Sequence, residues 1–171
     1  MSVTSHLARL RVPLGFLCGV AALALADPTP QSLIAGSAIA AIGEALRVWA
    51  AGHLEKSREV TTSGPYRFTR HPLYLGSGLM AAGFVVAAHN VPVMVLTAGY
   101  MAATYFSAIT REEAFLTERF GAAYPDYKAG RLGGVARSFS LERAMRNREY
   151  RAVIGFVAAL AILAVKAGAF R

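Results

Sequence analysis

The residues able to do chemistry fall in two stretches. Thr62 to Gly76, reading Thr-Ser-Gly-Pro-Tyr-Arg-Phe-Thr-Arg-His-Pro-Leu-Tyr-Leu-Gly, sets Arg67, Arg70 and His71 among two tyrosines, a phenylalanine and two prolines. Arg111 to Tyr127 carries the adjacent carboxylates Glu112 and Glu113, then Phe120-Gly121, Tyr124 and Tyr127. Pro72 suits the first position of a helix, where its missing N–H costs nothing. The free N–H groups and positive dipole end of such a helix favour a carboxylate or phosphate, and Arg70 and His71 add donors. Ser63, Gly64 and Pro65 make a turn that folds the linker back onto this point. The competing reading of the stretch is a basic, aromatic anchor at a membrane boundary. Two adjacent carboxylates on a helix point about 100° apart, so at most one of Glu112 and Glu113 faces a bundle interior.

The elements that hold these stretches are apolar. The 171 residues are 55% hydrophobic and 16% charged, with a mean hydropathy of +0.42. That composition is too apolar for an ordinary soluble domain and predicts an all-α fold, a polytopic membrane helix bundle of about five transmembrane helices. The runs are 12–26, 33–54, 73–88, 91–109 and 152–165. Asp27-Pro-Thr-Pro forces a turn after the first. His89 and Asn90 alone separate the third and fourth, which must form an antiparallel hairpin. Gly76, Gly78, Ala81, Ala82 and Gly83 let helices approach closely. Cys18 is the single cysteine and cannot form an internal disulfide. The four histidines show no metal-ligand spacing, so no metal is expected. Arg9 and Arg11 ahead of the first run, with Ala24-Leu25-Ala26 at its end, also fit a cleaved signal peptide; a retained first helix is the reading adopted. Glu44 and Arg47 interrupt the second run three residues apart on one helix face, where they could pair with each other in the bundle or line a polar cavity.

The distribution of charge sets the expected orientation. Of the 18 Lys and Arg, two lie in the N-terminal tail, four between His53 and Pro72, and nine between Thr110 and Arg151; the loops 27–32 and 89–90 have none. The positive-inside rule then puts the N-terminus and both polar segments in the cytoplasm, and the net charge of +8 reflects topology rather than nucleic-acid binding. A bacterial cytoplasmic membrane is the expected location. With both stretches on one face and the third and fourth helices adjacent, cations at one helix start oppose carboxylates at the other's end. A zwitterionic ligand with an amino-acid head would satisfy both.

Gly64-Pro65-Tyr66-x-x-x-Arg70-His71-Pro72-x-Tyr74-x-Gly76, with Glu112-Glu113-x-x-Leu116-x-x-x-Phe120-Gly121-x-x-Tyr124-x-x-Tyr127 after the hairpin, resembles the integral-membrane methyltransferases of the isoprenylcysteine carboxyl methyltransferase and phospholipid methyltransferase type. The resemblance covers roughly residues 33–137 of a single membrane domain, with 150–167 an additional C-terminal helix. It implies a cytosol-facing S-adenosylmethionine pocket built on membrane helices; no Gly-rich Rossmann fingerprint occurs. By the same resemblance His71, Pro72, Leu73 and Tyr74 form the cofactor-contacting turn, with Tyr66 and Val60 near the adenosine. Glu112 meets the ammonium, Arg70 and His71 meet the carboxylate, and Tyr124 and Tyr127 close the pocket. Arg70 and Glu113 are the residues assigned to the chemistry.

The chain departs from that pattern twice. Ala108 stands where the isoprenylcysteine enzymes would carry an arginine for the substrate carboxylate, which argues against carboxyl methylation of a prenylated cysteine. Val135-Ala136-Arg137 keeps the closing Val-x-Arg element, but Gly130 and Gly133-Gly134 loosen its approach and Ser138-Phe139 replaces a proline-containing end. An amine acceptor would need a base, for which Glu113 or Glu44 is available. The expected partners are the bilayer and a lipid or other hydrophobic acceptor, with the last helix serving in packing or in dimerisation with a second copy. The rival to the enzyme reading is a non-catalytic membrane protein that keeps the fold and a ligand pocket.

Overall fold

The computed structural model describes residues 3–168, with side chains from residue 13 onward. Arg9, Arg11 and Arg171, which enter the charge count, lie outside the described side chains. The helices are α1 (Val3–Leu25), α2 (Pro30–His53), α3 (Pro72–Ala88), α4 (Val91–Phe120), α5 (Ala123–Lys128), α6 (Leu141–Arg146) and α7 (Tyr150–Lys166), with a 3₁₀ turn at Gly64–Arg67. No strand occurs among the described residues, and the fold is an all-α membrane bundle.

Local chemistry fixes the helix ends. Thr29 starts α2 with a reciprocal cap: its Oγ1 accepts from the Ser32 N–H at 3.1 Å, and Ser32 Oγ accepts from the Thr29 N–H at 3.0 Å. Pro30 follows at the first helical position. Asn90 caps α4 through Val93, while His89 closes α3 in the left-handed region at φ 48°. The Asp27 N–H donates to the Ala88 carbonyl at 2.8 Å, tying the two turns at this end together. Opposite, the polar 110–151 segment is largely helical, comprising the end of α4, α5 and α6.

Packing is inverted relative to a soluble bundle. Phe16, Phe106 and Ile154 are 75%, 80% and 62% exposed, whereas Ala40, Ala50, Ala87 and Ala88 are at most 2% exposed. Large apolar side chains face outward and small ones mediate helix contact, as expected where lipid is the solvent. Of the five apolar runs, α2 and α4 are long and apolar enough to cross a membrane alone. The 17 residues of α3 and of α7 extend about 26 Å, short of a ~30 Å hydrocarbon core.

The α2–α3 pair is the tightest contact. A methyl on Gly43 would sit 2.6 Å from the Gly76 carbonyl oxygen, and one on Gly76 would sit 2.7 Å from the Gly43 oxygen. Gly36, Ala40, Gly83 and Ala87 continue the same seam.

The Glu44–Arg47 pair expected from their spacing does not form. Arg47 runs alongside Gly76, donates from Nε to Glu149 Oε1 at 2.7 Å and from Nη1 to Ser77 Oγ. Glu44 is buried with neither carboxylate oxygen hydrogen-bonded among the described residues. The glycine face of α3 lets the long Arg47 side chain turn away from its own helix toward partners on other segments.

Replacing Gly43 or Gly76 by valine should cost about 1–3 kcal/mol through overpacking against backbone. Gly78→Ala, a site with no neighbour within 4 Å of the added methyl, should leave the thermal midpoint in detergent unchanged or raised.

Candidate functional site

The linker between α2 and α3 folds back because its polar side chains satisfy its own backbone. Thr61 Oγ1 accepts from the Glu55 N–H at 3.2 Å, and Ser63 Oγ lies 3.1 Å from His53 Nδ1. Gly64, at φ 57°, lies so close to the His53 ring that a side-chain carbon there would clash. The 3₁₀ turn that follows buries Tyr66. His71 and Pro72 then open α3, with Pro72 buried in the first turn and the His71 side chain making no cap bond.

A cavity of about 410 Å³ lies between this linker, α2, α3, α4 and α5. Val60, Tyr66, Arg70, His71, Pro72, Leu73, Tyr74, Glu112, Tyr124 and Tyr127 all line it. Its volume falls in the range of small-molecule and cofactor sites. Arg70 and Glu112 face it without an ion pair or side-chain hydrogen bond among the described residues. Their charges flank the tyrosines: Glu112 acts on Tyr66, and both act on Tyr124. Burial is the main cause that pushes the Tyr66, Tyr124 and Tyr127 hydroxyls above the ordinary tyrosine value; for Tyr66 the Glu112 charge adds to it, and for Tyr127 the Arg70 charge opposes it. All three therefore stay neutral donors.

Glu113 is not among the cavity-lining residues. Its Oε1 lies 3.1 Å from His71 Nε2 and its Oε2 accepts from Lys128 Nζ at 2.6 Å. The two carboxylates thus divide as the helix period requires, Glu112 to the cavity and Glu113 to His71. The apolar span of α4 ends at residue 109, and Glu113 lies in the extension beyond it. There the Lys128 bond, followed in size by the opposing effect of burial and then the His71 bond, sets its carboxyl down to about 2. Tyr127 adds a second clasp by donating from its hydroxyl to the Tyr66 carbonyl at 2.6 Å. Helix α5, which follows the reversal at Gly121 (φ 54°), is thereby fastened beside the cavity through its last two residues, Tyr127 and Lys128.

The structure adds cavity residues that the motifs do not contain. Arg47, Ser77 and Tyr105 line the end nearest the bundle interior, and Glu55 and Phe115 line it elsewhere. Tyr105 stands seven residues before Glu112 on one face of α4, and Ser77 three after Tyr74 on α3, so helical spacing pointed to both. Position 108, between Tyr105 and Glu112, is the alanine noted above; a guanidinium reaches the cavity all the same, from Arg47 of α2. The closing Val-x-Arg element packs on the linker: the Val135 N–H donates to Thr62 Oγ1 at 3.0 Å and Arg137 pairs with Glu59 at 2.7 Å.

An all-α membrane bundle with an aromatic cavity carrying both signs of charge at its polar end is the class these features define. The chain belongs to the phospholipid methyltransferase family, whose model matches residues 15–123. It is 32% identical over 77 residues to a protein-S-isoprenylcysteine O-methyltransferase of Dictyostelium discoideum, covering 44% of this chain and 32% of that one. It is 28% identical over 122 residues to the enzyme of the same name from Schizosaccharomyces pombe, covering 71% and 47%. The cobalt-zinc-cadmium resistance protein CzcN of Cupriavidus metallidurans is 32% identical over 87 residues, covering 50% and 39%. The matches thus span a third to a half of these relatives' lengths. No solved structure matches the chain.

The Glu113 clamp has a defined pH signature. Its folded-state value of about 2 lies below the ordinary 4.5, so its stabilisation is complete above pH 4.5 and is lost as pH falls toward 2. The thermal midpoint of the wild type should fall across that window by more than that of Glu113→Gln, and Lys128→Ala should reduce the difference.

Proposed function

We propose that the chain is an S-adenosylmethionine-dependent integral-membrane methyltransferase acting on a lipid or other hydrophobic acceptor, with its cavity open to the cytoplasm. The observation that carries the reading is the pair of unengaged opposite charges, Arg70 and Glu112, facing one tyrosine-lined cavity. An amino-acid head supplies a carboxylate for the first, with His71 and the α3 N-terminus beside it, and an ammonium for the second. Tyr66, Tyr124 and Tyr127 offer ring faces to an adenine or a sulfonium, the latter contact worth ~1 kcal/mol or more once desolvated. Bound there, the cofactor supplies an electrophilic methyl group on a positively charged sulfur.

Transfer of that kind needs alignment and exclusion of water more than acid–base chemistry. Glu113, held between His71 and Lys128, orients the histidine, and the Tyr127 clasp holds α5 against the linker at the cavity's edge. Neither Glu113 nor Glu44 lines the cavity, so neither stands where it could act as a base on the acceptor. A second, apolar chamber of about 420 Å³ lies between α1, α3, α4 and α7. Met80 and Ala81 of α3 and Met101 of α4 line it about one helical turn from Ser77 and Tyr105, which supports an acceptor with a hydrocarbon tail. The isoprenylcysteine and phospholipid names of the relatives and family agree with such an acceptor.

Titration calorimetry of detergent-purified protein with S-adenosylmethionine tests the reading. Binding should be weakened at least tenfold by His71→Ala and by Glu112→Ala. Absence of binding, or indifference to both substitutions, overturns it. Binding without methyl transfer to any membrane fraction would instead favour a non-catalytic pocket protein.

A further inference from the structure

Helix α6 and its turn into α7 lie beyond residues 15–123 matched by the family model, and none of residues 139–151 lines the cavity. Their level in the molecule is fixed by docking on the last turn of α2. Asn147 Nδ2 donates to the carbonyls of Ala51 and Leu54, both at 2.9 Å, and Arg143 Nη1 donates to the Gly52 carbonyl at 2.6 Å, so α6 and its exit cap the open end of that helix. The apolar run of α2 ends at Leu54 and that of α7 begins at Ala152. The six residues of α6 and the first turn of α7 therefore stand at the boundary between hydrocarbon and headgroups.

The outward side of this segment carries apolar and cationic groups together. Ala144 is buried, whereas Leu141 and Met145, four apart on α6, are 65% and 51% exposed, and Ile154 on α7 is exposed as well. Arg146, Arg148 and Arg151 are all exposed. The carboxylates in reach are engaged elsewhere: Glu149 is buried on Arg47, and Glu55 takes Arg143 at 3.0 Å and Arg146 at 3.3 Å. Glu142, itself exposed, reaches Arg146 only at 4.0 Å. Arg148 and Arg151 have no carboxylate within that distance among the described residues. The Arg151 N–H donates to the Arg148 carbonyl at 3.1 Å, so these two arginines share one turn. The Arg151 guanidinium stands 5.9 Å from the centre of the Tyr150 ring, an aromatic residue at the same boundary. Like charges so placed repel each other until an anion comes between them.

We infer that the α6–α7 turn is a binding site for an anionic phospholipid, with Arg148 and Arg151 on the headgroup phosphate and Leu141, Met145 and Ile154 against the acyl chains. Guanidinium groups match phosphate oxygens in a two-point geometry. A zwitterionic headgroup brings a cation of its own to a surface already rich in cations, which favours a lipid of net negative charge. A free phosphate would leave the apolar residues in water, so the lipid fits both halves of the surface. The bound headgroup also steadies the reversal at Arg148, which holds φ 61° immediately before the Glu149 that pairs with Arg47. The inference rests on the membrane bundle and not on the methyltransferase reading. It differs from the general bias of positive charge to one side, because two named arginines carry it.

The test is the thermal midpoint of the full chain in uncharged detergent, titrated with phosphatidylglycerol, with phosphatidylcholine of the same acyl chains, and with inorganic phosphate. Phosphatidylglycerol should raise the midpoint saturably by at least ~3 °C, and the other two should not. Arg148→Gln and Arg151→Gln should each raise the half-saturating lipid concentration about fivefold, and the two together more than tenfold. Each single variant stands as a test should the double variant fail to fold. Arg58→Gln with Arg131→Gln, which removes the same charge from the same end of the molecule, should leave that concentration within threefold. Leu141→Ser with Met145→Ser should weaken phosphatidylglycerol binding while keeping its preference over phosphatidylcholine. The inference is overturned if phosphatidylcholine stabilises equally, if the Arg148 and Arg151 variants bind as the wild type does, or if the Arg58 and Arg131 pair loses as much. It is overturned equally if inorganic phosphate alone reproduces the shift, which would mark a free-anion site.

Discussion

Close approach of α2 and α3 is the constraint on which the rest of the molecule depends. Carbonyl oxygens of one helix occupy the space that a side chain on the other would fill at Gly43 and Gly76, so the two backbones cannot shift without breaking contact along the seam. That fixes where the linker leaves α2 and re-enters as α3, and hence where His71 and Pro72 stand. It also clears the path along which Arg47 crosses to Ser77. In lipid, where burying apolar surface drives little helix association, such backbone packing with a few internal polar contacts holds the bundle together.

Charge inside this bundle is used sparingly and, apart from Glu44, whose carboxylate oxygens accept no hydrogen bond among the described residues, in pairs. Arg47 is neutralised by Glu149 and Glu113 by Lys128, with His71 at its second oxygen. Against this background Arg70 and Glu112, both facing the cavity and neither paired, stand out as groups whose partners come from outside the chain. A guanidinium left alone at the membrane level would be expensive, so the connector that delivers Glu149 has an energetic role whatever the acceptor.

The polar end is fastened by bonds between segments distant in sequence. Tyr127 reaches the Tyr66 carbonyl, Val135 reaches Thr62, and Arg143 and Asn147 cap α2. Helix α5 is too short to be stable alone; it persists because its C-terminal residues Tyr127 and Lys128 are tied to the linker and to Glu113. Release of those ties would open the cavity from its polar side with little disturbance of the membrane helices.

The sequence by itself determined the apolar helices, the tight hairpin at His89–Asn90, the two motif stretches and the fact that they share one end, because hydropathy, turn chemistry and helical period are local properties. It also determined that Glu112 and Glu113 point apart. Spacing alone left Arg47 either to pair with Glu44 or to line a polar cavity, since two side chains three apart on a helix can meet but need not; the structure has Arg47 at the cavity. Only the tertiary structure decided that Arg47 turns to Ser77 and Glu149, that Lys128 and His71 claim Glu113, and that the C-terminal segment returns to the end of α2. Those contacts depend on which backbones pack closely enough to let a long side chain cross between helices, and no local pattern encodes that.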